Sequence, residues 1–135
     1  MTSARALPIR ARRSPRRRGQ VVAPALAAGL LLAASLPPWG FWILAPGGAA
    51  LLWWRLGGLR TRTRLLVGWI CGLGLYVPGL FWATSFNWYG AIVLMLVEAL
   101  AIAIAAAVSP PGRGRVLALP GAVVLAEALR STWPF

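Results

Sequence analysis

Glu98 and Glu127 are the only acidic side chains in this chain of 135 residues. Beside them stand one thiol, Cys71, and fourteen arginines, while lysine, histidine and aspartate are absent. That inventory excludes most catalytic chemistry. A cysteine nucleophile needs a neighbouring base or cation to become a thiolate. Cys71 lies in an apolar run with no histidine or lysine to serve it, and helix rise sets Glu98 deeper in the next apolar stretch. A Ser-His-Asp set, a metal-ligand cluster and a lysine-bearing phosphate loop cannot be drawn from these residue types. No catalytic residue, metal site or cofactor is expected.

The two carboxylates stand in different surroundings. Glu98 falls near the middle of a long apolar stretch. An ionised carboxylate at the centre of a bilayer costs ~2.5–3.5 kcal/mol on insertion scales. Glu98 must therefore be protonated or paired, and must face protein. Either it is a ligand or proton site, or it is a neutral carboxyl hydrogen-bonded across helices. Glu127 and Arg130 are three residues apart and share a helix face. They form either an intrahelical bridge anchoring a helix end or a support for an outer site, touching catalytic elements or phospholipid headgroups.

The elements that position these residues follow from composition. Hydrophobic residues make up 59% of the chain and charged residues only 12%, about half the share usual in soluble domains. The charge is also segregated. Seven arginines lie in the first 18 residues, Arg55, Arg60, Arg62 and Arg64 follow the second apolar stretch, and Arg113 and Arg115 precede the last. Arginines so placed flank membrane spans and do not line one folded face, so the net charge of +12 is not read as a nucleic-acid surface. The expected fold is all-α, a bundle of about five transmembrane helices over residues 21–135, behind a disordered arginine-rich tail at 1–20. The spans are roughly 21–36, 40–56, 65–85, 89–108 and 116–133. The run from Val21 to Leu36 has a basic front and small residues at Ala33, Ala34 and Ser35, as a signal peptide would; it is read as the first span. Pro24 and Pro46 interrupt the first two stretches and should face other helices, since lipid cannot pair the backbone groups they free.

Arginine asymmetry sets the orientation. With the N-terminus inside, thirteen arginines lie on inner segments and only Arg130 near the outer side, which is the positive-inside pattern. The C-terminus is then outside. Trp39, Trp42, Trp82, Trp88 and Trp133 mark the outer interface, where indole rings settle. They could also offer a surface to acyl chains. Small residues supply the packing signal: Gly68 and Gly72 in the third stretch, and Ala99, Ala103 and Ala107 at four-residue intervals in the fourth.

Three segments carry a resemblance. Leu32–Trp42 (LAASLPPWGFW), Gly68–Trp82 (GWICGLGLYVPGLFW) and Leu119–Phe135 (LPGAVVLAEALRSTWPF) resemble, in order, the first hairpin, the glycine-rich third helix and the Glu-x-x-Arg helix of apolipoprotein N-acyltransferases. The resemblance covers about residues 25–135. It implies a membrane bundle of the bacterial inner membrane beneath an outer nitrilase-like domain. It also implies acyl transfer from a phospholipid to the lipidated N-terminal cysteine of a lipoprotein, through a Glu-Lys-Cys set and a thioester. None of those three positions exists here. The chain is thus expected to be the N-terminal membrane part of such an enzyme, truncated or split from it, and inactive alone. Glu127 and Arg130 carry over by position in supporting roles, and Glu98 matches no family position. The expected partners are the phospholipid bilayer, the lipoprotein substrate and the nitrilase-like domain, with no nucleic acid. The alternatives are a non-catalytic anchor for an enzyme such as a polyprenol-phosphate mannosyltransferase, and a small transporter using Glu98.

Overall fold

A computed structural model describes residues 16–110, 112 and 114–132, without the side chains of 16–18, 123, 126, 127 and 129–131. The expectations for Arg5–Arg13, Arg113 and Trp133 lie outside the described residues. Among the described residues the chain is all-helical. Helices α1 (Arg16–Ala34), α2 (Leu44–Arg55) and α3 (Thr61–Gly79) are followed by a short 3₁₀ helix (Phe81–Ser85), then α4 (Trp88–Val108) and α5 (Arg115–Thr132).

Small residues decide how the helices meet. A Cβ added at Gly72 would lie 2.7 Å from the Ala99 Cα, and one at Gly68 would lie 2.8 Å from the Ala103 Cα. The α3 and α4 backbones therefore approach as closely as the small-residue pattern predicts. The third contact differs from expectation. Ala106 is fully buried against Gly68, while Ala107 is only half-buried. A straight four-residue ladder drifts off a helix face of 3.6 residues per turn, and a three-residue step brings it back. Helix α1 runs beside α3, crossing where Gly29 meets the backbone of Cys71 and Gly74, and Gly48 of α2 packs on Ala28 and Leu32.

The outward faces are as apolar as the inward ones, but larger. On α4, Ile92, Val93, Leu96, Val97, Leu100 and Ile104 are exposed, while Ala91, Ala99, Ala103 and Ala106 are buried. A water-soluble helix would carry polar residues on that outer face, and an apolar surface this continuous belongs in lipid. At 21 residues α4 is ~32 Å long at 1.5 Å per residue, and by length and composition it can cross a membrane. Among the described residues it is the single helix that passes this test.

The prolines are accommodated in two ways. Pro24 lies inside α1 and has no N–H, so the carbonyl four residues earlier, that of Gln20, loses its helical partner. The Arg55 guanidinium donates to that carbonyl, which meets the expectation that a neighbouring helix would serve this proline. Pro46 departs from the expectation and is exposed. It stands third in α2, within the first turn, where no intrahelical N–H bond is required. The third stretch also ends sooner than a continuous span to residue 85: α3 stops at Gly79, just after Pro78, and gives way to the 3₁₀ turn.

Candidate functional site

The contacts between helices place the α1 C-terminus, the α2 N-terminus, the α3 C-terminus and the α4 N-terminus at one end of the bundle. That end is aromatic. Trp39, Phe41 and Trp42 lie in the loop after α1, Phe81, Trp82 and Phe86 in and after the 3₁₀ helix, and Trp88 and Tyr89 at the start of α4; all are exposed. Trp82 meets Phe86 edge-on at 6.0 Å, and Trp88 leans on Tyr89 at 4.0 Å. Asn87 fixes the turn between these pairs, its side-chain oxygen accepting a bond from the Gly90 N–H at 3.2 Å, a standard helix N-cap. Such rings offer flat apolar faces with polar edges, suited to the interface between acyl chains and water.

Below this end, between α2 and α5, lies a cavity of about 610 Å³. Leu32, Ala50, Trp53, Leu75, Ile102 and Leu119 contribute to its apolar wall, and among the described residues Arg115 is its one charged lining residue. Its volume falls within the ~300–1,000 Å³ common for small-ligand sites.

The candidates drawn from sequence divide. Glu98 is 7% exposed on α4, on the same face as Met95, Ala99 and Ile102, so it faces protein as its cost in lipid requires. Glu98 is not without a partner in the protein. Glu127 and Arg130 fall within α5, but their side chains lie outside the described residues. Cys71 is a free thiol with no exposure, packed where α1 crosses α3. Among the described residues no three metal-ligand side chains gather.

The opposite end of the bundle holds a group that the sequence did not single out. Arg64 and Arg115 are 6% and 5% exposed. Arg64 donates to the Ser109 carbonyl at 2.6 Å, and Arg115 to the Trp53 carbonyl at 2.9 Å. These carbonyls close α4 and the last turn of α2, where backbone acceptors lack intrahelical partners and the helix dipole favours a cation. Arg55 serves Gln20 in the same region, and its guanidinium lies over the Trp54 ring. The one available signal was position: Arg55 ends α2, Arg64 lies in the first turn of α3, and Arg115 begins α5. Convergence of helix ends separated by about fifty residues is not visible in a linear sequence.

Comparison with known proteins gives a consistent result. The model of the apolipoprotein N-acyltransferase N-terminal domain matches residues 28–135. An apolipoprotein N-acyltransferase of Agrobacterium fabrum is 32% identical over 132 residues, covering 79% of this chain and 25% of that protein. One from Pseudomonas paraeruginosa is 38% identical over 86 residues, covering 63% of this chain and 17% of its own length. One from Azotobacter vinelandii is 40% identical over 81 residues, covering 59% and 16%. The chain thus spans a quarter or less of the length of these curated relatives. No solved structure matches it.

Proposed function

The chain belongs to the apolipoprotein N-acyltransferase family, whose N-terminal domain it matches over residues 28–135, and we propose that it forms the membrane-embedded part of such an acyltransferase in the bacterial inner membrane. In this reading the five helices cross the bilayer in alternation, with the arginine end facing the cytoplasm and the aromatic end outside. The observation that carries it is the contrast between the ends: buried arginines at one, exposed aromatic rings at the other, and an aliphatic girdle between them. Basic segments are retained inside, and aromatic belts sit at interfaces. Helices α1, α2 and α3, of 19, 12 and 19 residues, enter the bilayer as members of a packed bundle and not as independent spans.

The reaction served is transfer of an acyl chain from a phospholipid to the lipidated N-terminal cysteine of a lipoprotein. The aromatic end would hold acyl chains at the outer interface. Glu127 and Arg130, in the outer turns of α5, would support that side, and Glu98 would be a structural carboxyl between α3 and α4. A Glu-Lys-Cys set cannot be drawn from these residues, because lysine is absent and the one cysteine is enclosed in α3. Acyl transfer would therefore depend on a nitrilase-like domain acting with the chain.

Two measurements test this. On a Cys71→Ser background, Phe86→Cys should react with an impermeant maleimide in intact spheroplasts, and Arg60→Cys only after permeabilisation; reaction of both from one side defeats the alternating arrangement. Residues 28–135 should also replace the matching region of the Agrobacterium fabrum relative and retain lipoprotein acylation. A chimera that reaches the membrane in normal amount yet yields no triacylated lipoprotein would defeat the assigned role. The purified chain alone, given phospholipid and a diacylated lipopeptide, should yield none.

A further inference from the structure

The inner arginines are under-satisfied. Each gives a bond to a backbone carbonyl, yet the Nε atoms of Arg55, Arg64 and Arg115 are all buried without a hydrogen-bond partner. Buried N–H groups left unpaired cost ~1–3 kcal/mol each, and more when charged. Arg64 and Arg115 also lie close enough to repel one another. The chain has two carboxylates to set against this charge. Glu98 lies on the α4 face that packs on α3, more than two turns from Ser109, and Glu127 is more than three turns along α5 from Arg115. What the cluster lacks is an anion with several acceptor oxygens.

Arg115 is at the same time the charged residue lining the cavity between α2 and α5. The cavity follows α5 from Arg115 to Val124, a rise of ~14 Å at 1.5 Å per residue. A cationic mouth thus opens onto an apolar slot running toward the middle of the bundle. Among the described residues helix α5 meets the rest of the bundle along α4 and α2, so the slot lies against the last helix of the bundle.

We propose that Arg64 and Arg115 bind the phosphate of an anionic phospholipid, one acyl chain of which occupies the cavity between α2 and α5. Once Arg64 and Arg115 turn their buried Nε edges toward the cavity mouth, each edge can meet a phosphate bidentately, a stronger and more directional contact than a point charge. The acyl chain supplies the apolar atoms the cavity walls lack. The lipid wedges α5 against α2 and neutralises the crowded charge. This site lies at the end of the bundle opposite the aromatic surface assigned to acyl transfer. Its placement in the inner leaflet rests on the orientation proposed above. The binding itself does not, so either idea can fail alone.

The test uses the 135-residue chain, purified in neutral detergent and titrated with phosphatidylglycerol or with phosphatidylcholine of identical acyl chains. Bound lipid is counted by native mass spectrometry. One phosphatidylglycerol should bind about tenfold more tightly than phosphatidylcholine, a difference of ~1.4 kcal/mol. Arg64→Gln and Arg115→Gln should each lose about tenfold, while Arg60→Gln, the same charge change at an exposed position, should stay within about twofold. Ala50→Phe narrows the cavity from an exposed wall position, so it should fold, as judged by circular dichroism, and bind phosphatidylglycerol about tenfold more weakly. Equal losses in Arg60→Gln and Arg115→Gln would reduce the effect to diffuse surface charge and overturn the proposal. So would unchanged binding in folded Ala50→Phe, whether or not the arginine variants fold. Full displacement of phosphatidylglycerol by millimolar inorganic phosphate would mean a free-anion site, and would overturn it as well.

Discussion

The seam between α3 and α4 and the gap between α5 and α2 are built from the same apolar alphabet with opposite results. At the seam, Gly68 and Gly72 face Ala99, Ala103 and Ala106, and the backbones nearly touch. At the gap, Trp53, Leu119 and Val124 face one another across about 610 Å³ of space. In water the larger side chains would drive the tighter association. In lipid they gain nothing by leaving acyl chains, so side-chain size becomes a spacer and only small residues bring helices together.

The comparison breaks most directly at Gly72. Replacing it with leucine puts a branched side chain where even a Cβ would lie 2.7 Å from Ala99. Unlike the usual overpacked site, this one can yield only by separating two backbones. The expected loss is about 3 kcal/mol or more of bundle stability, at the upper end of overpacking penalties, read from unfolding of the chain in bicelles. A loss under ~1 kcal/mol would mean that the seam is not the main contact. A matched increase in bulk at Ala50, on the gap, should cost much less.

Glu98 comes next, because it lies on the buried face of the same seam. Glu98→Gln keeps hydrogen-bonding capacity and should be nearly neutral. Glu98→Leu strands whatever the carboxyl engages but also removes a polar group from lipid depth, so its net effect should stay within about 1–2 kcal/mol. The same unfolding assay decides: a large effect of the glutamine variant would point to an ionised, functional carboxylate.

The smallest effect is expected on α5, the loosely held side. With Glu127 and Arg130 one helical turn apart, Arg130→Ala should destabilise more than Glu127→Ala. A lone arginine near a helix end can extend toward the headgroups, whereas a lone glutamate reaches less far. The double variant should recover part of the loss, with a coupling of about 0.5 kcal/mol. Strict additivity in the double-mutant cycle would show that the two side chains do not interact.

Much of this arrangement could be read from the residues themselves. Glycine at 68 and 72 and alanine at 99 and 103 announce a close helix pair because their size has one obvious use in lipid. The uninterrupted run from Trp88 to Val108 announces α4. Other features could not be read because they depend on partners distant in sequence. The exchange of Ala107 for Ala106 at the seam requires the true phase of both helices. Nothing near Gln20 shows that its carbonyl, freed by Pro24, is met by Arg55. The arginine cluster is a property of helix ends brought together, and the sequence reveals only that these arginines share a side. Glu127 and Arg130 were legible as a pair three residues apart, but their geometry was not.

The bond from Arg115 to the Trp53 carbonyl spans 62 residues, and this sets an order of events during synthesis. Helix α2 is the shortest of the five at 12 residues, and a carbonyl in its last turn is met by a guanidinium that does not yet exist when α2 is made. At ~5–20 residues per second, Arg115 follows Trp53 by about 3–12 s. Throughout that interval α2 has α1 beside it and little else. Its C-terminal end is completed only when α5 arrives, so a delay between the third and fifth helices extends the time for which the second remains unfinished.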